Sequence, residues 1–197
     1  MAREIQYEAK VSLKGISNLL IQKYVPQEEA QVRTAVTDYS QEWKTAVHLN
    51  FPGNEYLVFP DVNIEMTIRQ AAKGKKVGKN FMTKMVPTGI VVQDSEVPIL
   101  DSNGNKITVD NLDERGWYFT CPVVIGKSRV MKTRAKIPAR EWNLTFNIEV
   151  YNPLLTPKIV KDLFEESGYC SGLGVWRPSS PSPGKNGQFE VEGFELL

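Results

Sequence analysis

Residues 142–150 read W-N-L-T-F-N-I-E-V, and this run decides the fold. Trp142, Leu144, Phe146, Ile148 and Val150 fall on one face of an extended chain, with Asn143, Thr145, Asn147 and Glu149 on the other. A period of two with one apolar face describes a strand half-buried in an antiparallel sheet. Just beyond it the period changes. Thr156 stands as an N-cap and Pro157 at the first helical position, where its missing N–H is no loss. Ile159, Val160, Leu163 and Phe164 follow at helical spacing, predicting a helix over 157–167 stopped by Gly168. A strand over 188–196 closes the chain.

The same alternation opens the sequence. Ile5, Tyr7, Ala9, Val11 and Leu13 oppose Glu4, Gln6, Glu8, Lys10 and Ser12, a second half-buried strand over 4–13. Residues 25–47 are polar and helix-compatible, with Ser40 as an N-cap before Gln41–Trp43. His48–Phe51 and Tyr56–Phe59 flank the turn Pro52–Gly53–Asn54. Asp61 then caps a helix carrying Val62, Ile64, Met66, Ile68, Ala71 and Ala72, which ends near Lys73–Gly74. The stretch 81–109 reads as short strands broken by Pro87, Gly89, Pro98 and the turn at 101–104. Strands over 117–125 and 127–137 follow, with a turn at Pro138. Setting aside hairpins inserted around 81–137 leaves β-α-β-β-α-β. That order predicts an α+β, ferredoxin-like core, an antiparallel sheet with its helices on one face. Residues 1–197 are expected to form one domain carrying a Gly/Pro/Ser-rich loop at 171–187.

Composition narrows the function classes. At 41% hydrophobic and 24% charged residues, the chain is neither collagen-like nor wholly disordered. No apolar run approaches the ~20 residues of a membrane span, and the N-terminus has no apolar signal segment. Cys121 and Cys170 form no spaced framework, so two buried thiols in a reducing cytoplasm are expected in place of a disulfide. One histidine and no CxxC leave no metal-ligand pattern, and no cofactor motif is present. The net charge of +1 hides segregation: residues 127–140 hold six cations and no acid, and 73–84 hold five lysines and no acid.

Three segments carry candidate chemistry. The first is the basic strand Lys127, Arg129, Lys132, Arg134 and Lys136 with its turn residue Arg140, ending beside Trp142. Lys132, Arg134 and Lys136 share one face of a strand, a pitch that can follow a phosphodiester backbone, while a flanking aromatic can stack on a base. The structural alternative is a solvated edge strand whose lysines block aggregation. The second is the segment G-Y-C-S-G-L-G-V-W-R-P-S-S-P-S-P-G-K-N-G over 168–187. Gly172 and Gly174 would let the backbone approach a ligand and expose an anion nest, with Trp176 to stack and Arg177 to read phosphate. The alternative is a long connection that caps the sheet. The third is Lys75, Lys76 and Lys79 at a helix end, where the helix dipole alone also accounts for the charge. His48 is a weaker candidate for acid–base chemistry, since no Ser/His/Asp or Cys/His set surrounds it.

The motifs G-L-G-V-W-R-P (172–178) and N-G-Q-F-E-V (186–191) resemble the glycine-rich signature of the RAMP superfamily. These are ferredoxin-like subunits of CRISPR effector complexes. K-V-S-L-K-G-I-S-N-L-L (10–20) and Y-L-V-F-P-D-V-N-I-E-M-T-I-R-Q-A-A-K (56–73) are similar to the family's opening segments. R-V-M-K-T-R-A-K-I-P-A-R-E-W (129–142), L-F-E-E-S-G-Y (163–169) and the loop resemble a set of bacteriophage and prophage proteins of that architecture. The resemblance implies a grip on single-stranded RNA, or on its DNA pairing partner, and stacking into filaments. By position it assigns Gly172, Gly174, Trp176, Arg177 and Gly187 to the loop signature and Arg129, Lys132 and Arg134 to the basic strand. S-S-P-S-P at 179–183 replaces the family's run of aromatic and glycine residues.

The leading expectation is therefore a non-catalytic binder of single-stranded nucleic acid, RNA before DNA, phage-encoded, self-assembling and cytoplasmic, with no membrane partner. The alternatives are an antagonist that binds a host protein or a nucleotide signal, a metal-independent endoribonuclease using His48, and a structural subunit of a virion or filament.

Overall fold

The computed structural model describes residues 4–23, 41–125 and 127–197. In chain order the elements are β1 (Tyr7–Gly15), β2 (Leu19–Ile21), α1 (Glu42–Thr45), β3 (Val58–Pro60), α2 (Asp61–Ala71), β4 (Lys76–Val77), β5 (Asn80–Phe81) and α3 (Met82–Gly89). There follow β6 (Ile90–Val92), β7 (Glu96–Leu100), α4 (Val109–Glu114), β8 (Tyr118–Ile125), β9 (Ser128–Ile137), β10 (Asn143–Val150), α5 (Pro157–Cys170) and β11 (Phe189–Leu196).

The two alternating strands are direct neighbours. β1 and β10 run antiparallel with Ala9 opposite Ile148, Val11 opposite Phe146 and Leu13 opposite Leu144. All six side chains are buried, because the register puts both apolar sets on the same face. β11 flanks β1 on the other side, also antiparallel, giving the order β11-β1-β10-β7-β3, with β6 pairing with β10 as well. With α2 before the returning strands and α5 before β11, this is the ferredoxin-like arrangement, α+β with an antiparallel sheet. α5 lays Val160, Leu163 and Phe164 on the sheet, and Phe164 meets Phe146 with ring centroids 6.0 Å apart. Each such burial contributes roughly 1.5–3 kcal/mol. Thr156 caps the helix by accepting a hydrogen bond from the Ile159 N–H.

The opposite face of the sheet carries Ser12 hydrogen-bonded to Thr145 and Gln93 to Glu149, together with Glu8 and Lys10. It presents charge of both signs, and Tyr151 just beyond β10 donates its hydroxyl to Glu149.

A second sheet, β2-β9-β8, stands beside the first. β8 and β9 form one hairpin, paired from Tyr118–Ala135 to Ile125–Ser128, and β2 joins β9 through Leu19–Ile137. Trp43 of α1 is buried and stacks on Tyr118 at 5.5 Å. The expected turn near Pro52 is present: Leu49 bridges Leu57, and Asn50 Oδ1 accepts from the Glu55 and Tyr56 N–H groups.

Several sequence expectations need correction. The stretch 81–109 holds the short strands β6 and β7, but its first part is helical: α3 occupies Met82–Gly89 with Pro87 inside it, and α4 starts at Val109. Within 81–137, among the described residues, β8 and β9 form a full hairpin, whereas β6 and β7 belong to the main sheet. Of the helix expected in 25–47, the described part is one turn, α1, preceded by Gln41 without a side-chain cap. Ser40 lies outside the described residues. Gly168 does not stop α5, which runs to Cys170. A Cβ at Gly168 would stand 2.0 Å from the Phe189 carbonyl oxygen, so glycine is there to let helix and strand touch. Both thiols are free, but only Cys121 is buried, whereas Cys170 is exposed. Among the described residues no helix is long and apolar enough to cross a membrane.

Candidate nucleic-acid interface

The glycine-rich loop is a structured element. Val175 N–H donates to Leu20 O, Gly187 N–H to Asn18 O, and Leu173 N–H to Gly187 O. Thr67 of α2 donates its hydroxyl to Gly172 O, so the loop is tied to both β2 and α2. Gly174 shows why the position demands glycine: its φ is +72°, and a Cβ would lie 2.3 Å from Leu20 O. The N–H groups of Gly172, Gly184 and Gly187 are spent on carbonyls of the chain itself. The glycines therefore bring backbone to backbone, and these N–H groups do not form the anion nest expected from sequence.

This anchoring leaves an open cleft of about 450 Å³ between the loop, the end of β2 and the start of α2. Ile21 and Gln22 form one wall, Phe59, Asn63 and Met66 another, and Trp176 and Arg177 the loop side, with His48 among them. Among the described residues no carboxylate lines it. Arg177 is held by two hydrogen bonds, Nε to Ser179 Oγ at 3.1 Å and Nη1 to Gly174 O at 2.9 Å.

Behind this wall lies Arg134. Its guanidinium packs against the Trp176 ring at 4.8 Å, donates to Gln22 Oε1 at 2.6 Å and contacts Cys121 Sγ at 3.8 Å. At 8% exposure it cannot itself track a phosphate backbone, and acts on the cleft through Gln22 and Trp176. Its neighbours in the expected cationic row are also engaged. Lys132 pairs with Glu42, and Lys136 sits over the Phe119 ring at 5.2 Å. The row of cations read from sequence is thus engaged within the fold, Lys132 in an ion pair and Arg134 and Lys136 against aromatic rings. Lys127 and Arg129, near the hairpin tip, are exposed.

The other candidates lie elsewhere. Trp142 is fully buried and donates Nε1–H to Ser17 O at 2.8 Å, so it is a core residue and not a stacking platform. Arg140 occupies a tight turn at φ +66° with its N–H on Gly15 O. Lys75 pairs with Glu166 across to α5, and Lys76 lies over Phe81 at 4.3 Å. Lys79 is exposed at the turn between β4 and β5.

His48 joins the loop residues, which no sequence spacing foretold. Burial first, and the nearby Lys23 cation second, hold its imidazole below the ordinary value, so it is neutral at pH 7. Gln22, Phe59, Asn63 and Thr67 were missed because each looks like an ordinary strand or helix residue until the loop folds over it. Among the described residues no cluster of three or more His, Cys, Asp or Glu gathers as a metal site.

Comparison with known proteins gives a fold and not a family. No family model matches the chain, and no curated protein matches it. Among solved structures, a chain of the Type III-B Cmr-beta complex bound to cognate target RNA aligns at a TM-score of 0.59 with 12% identity. The alignment covers 97% of this chain and 60% of that one. This chain shares the fold of the matched part and spans about three-fifths of that chain's length. A Cas6 product complex aligns over 98% of this chain and 53% of its own, at 8% identity and a TM-score of 0.21, and supports no fold correspondence.

Proposed function

We propose that the chain binds single-stranded RNA without cleaving it, at the cleft under the glycine-rich loop and along the exposed tip of the β8–β9 hairpin. One observation carries this reading: a cleft that presents Trp176 and Arg177, backs them with the buried Arg134 cation and has no carboxylate among the described residues of its lining. Such a site attracts polyanions and offers a ring for sequence-tolerant stacking. The fold shared with a chain of an RNA-bound complex favours RNA over DNA. Binding without cleavage is favoured because, among the described residues, the lining supplies His48 with no acidic partner.

Fluorescence anisotropy with a labelled single-stranded RNA and its DNA counterpart, across a salt series, tests this. RNA is expected to bind more tightly, and to remain intact. The Lys127→Ala/Arg129→Ala double variant is expected to flatten the log–log salt slope by about 0.7 for each phosphate no longer neutralised. Binding indifferent to salt and to Arg177→Ala overturns the proposal.

Self-association fits the same surface. β11 presents the exposed carboxylates Glu190, Glu192 and Glu195 at a sheet edge, while Lys127 and Arg129 near the hairpin tip offer complementary charge. Light scattering tests it: a multimeric mass that falls with salt supports the contact, and a monomer at low salt removes it.

A further inference from the structure

Trp176 is held in an unusual conformation. Its φ is +53°, a left-handed backbone that costs a bulky residue roughly 1–2 kcal/mol. The surrounding loop enforces it, with the Asn186 N–H on Trp176 O and Gly184 packed so closely that a Cβ there would lie 2.2 Å from the same oxygen. Strain kept by several contacts marks a position whose side chain must point one way. Here the ring is backed by Arg134 and also lines the cleft.

The remaining groups fit one kind of ligand. A volume of about 450 Å³ suits a single small molecule and not a folded strand. Gln22 is fixed, because its Oε1 accepts from Arg134 Nε and its amide N–H groups must therefore point elsewhere as donors. Asn63 adds a donor and an acceptor at the opposite wall. Arg177 is pre-oriented by its bonds to Ser179 and Gly174, which lowers the ordering cost of gripping a phosphate. Apolar and aromatic surface, neutral hydrogen-bonding groups and one guanidinium, with no carboxylate among the described lining residues, match a flat heterocycle joined to an anion.

We propose that the cleft is a single-nucleotide pocket, which takes one nucleoside monophosphate unit with its base against Trp176 and its phosphate at Arg177. This rests on the RNA-binding reading, where the unit belongs to a strand. The same chemistry also admits a free nucleotide, and the experiment separates the two sources.

His48 is the chain's single histidine and lines the cleft, so its imidazole resonances report occupancy without assignment ambiguity. The full chain, labelled at histidine, is titrated with AMP, with UMP, with adenosine, and with a single-stranded RNA decamer whose binding is followed in parallel by anisotropy. A saturable imidazole shift with the monophosphates and with RNA, much weaker with adenosine, supports the pocket as a strand-reading site. A shift with the monophosphates but no RNA binding upholds the pocket on a free nucleotide and removes the RNA reading. RNA binding that leaves the imidazole unmoved, with no response to AMP or UMP, overturns the pocket and leaves RNA binding standing. No binding of either removes both. Trp176→Asn keeps a residue that tolerates left-handed backbone while deleting the ring. It is expected to weaken AMP binding about tenfold or more. Unchanged AMP affinity in this folded variant also overturns the pocket.

Discussion

The Arg134 guanidinium lies 4.8 Å from the centre of the Trp176 ring, joining the middle of a long hairpin to the tip of the glycine-rich loop. Among the described residues the cation has no carboxylate partner, and its contacts are an amide oxygen, a thiol sulfur and a π face. A guanidinium tolerates such surroundings better than an ammonium, because it is planar, delocalised and more weakly hydrated. The pair links the stability of the hairpin to the orientation of the cleft's aromatic wall.

This link is measurable. In a double-mutant cycle with Arg134→Gln and Trp176→Asn, urea unfolding is expected to give a coupling of about 0.5–2 kcal/mol, the range for a partly desolvated cation–π pair. Arg134→Lys should lose most of that coupling although it keeps the charge. Additive single variants would mean that the two side chains merely lie side by side.

Trp142 provides the opposite case. Its indole N–H bonds to Ser17 O inside the core, so Trp142→Phe leaves an acceptor unpaired and removes buried volume. Unfolding free energy is expected to fall by about 1–3 kcal/mol. RNA affinity, measured well below the melting temperature, should not change. A drop in affinity in the folded variant would return Trp142 to the interface.

The sequence revealed most where one physical signal acted alone. Alternation from Trp142 to Val150 required one buried face, and Thr156–Pro157 required a helix start, so the β10–α5 unit was readable. It misled where two signals conflicted. Pro87 reads as a breaker, yet Met82, Met85, Val86 and Gly89 recur at i, i+3, i+4 and i+7 and are all buried in α3. Thr108 and Asn111 form a reciprocal capping box that announces α4, but asparagine stands where the usual pattern has glutamate or glutamine. At the site, Trp176, Arg177 and the glycines were legible as a loop signature. The burial of Arg134 was not, because a strand's period places a side chain on a face without saying what covers that face. His48 and Gln22 lie far from the loop in sequence, and the Val175–Leu20 and Gly187–Asn18 hydrogen bonds bring it over β2.

The Val175–Leu20 bond sets up a test at Gly174. Its φ of +72° and the Leu20 carbonyl oxygen, 2.3 Å from a would-be Cβ, make Gly174→Ala doubly unfavourable. The expected cost is about 2–4 kcal/mol, combining backbone strain with displacement of the loop from β2. Gly104→Ala is the control, with φ +83° but open space around the added methyl, and should cost about 1 kcal/mol. Equal destabilisation in the two variants would show that the loop does not depend on its approach to β2.

His48 gives the pH dependence its sign. Burial first, and Lys23 second, lower its folded pKa below the ordinary 6.5. Between the two values the unfolded chain takes up the proton and the folded chain does not. The stabilising contribution is therefore present above pH 6.5, is lost as pH falls through the folded pKa, and is constant below it. Urea unfolding of wild type and His48→Gln from pH 5 to 8 isolates it, because the carboxylates common to both cancel in the difference. The stability difference between the two proteins is expected to stay level at the alkaline end and to shift against wild type as pH falls below about 6.5. Ligand binding should move the other way. A phosphate in the cleft favours the imidazolium, so wild-type affinity for RNA is expected to rise as pH falls through the folded pKa, while the glutamine variant shows no such rise. Parallel affinity profiles in the two proteins would place the bound phosphate away from His48 and from the wall it shares with Trp176.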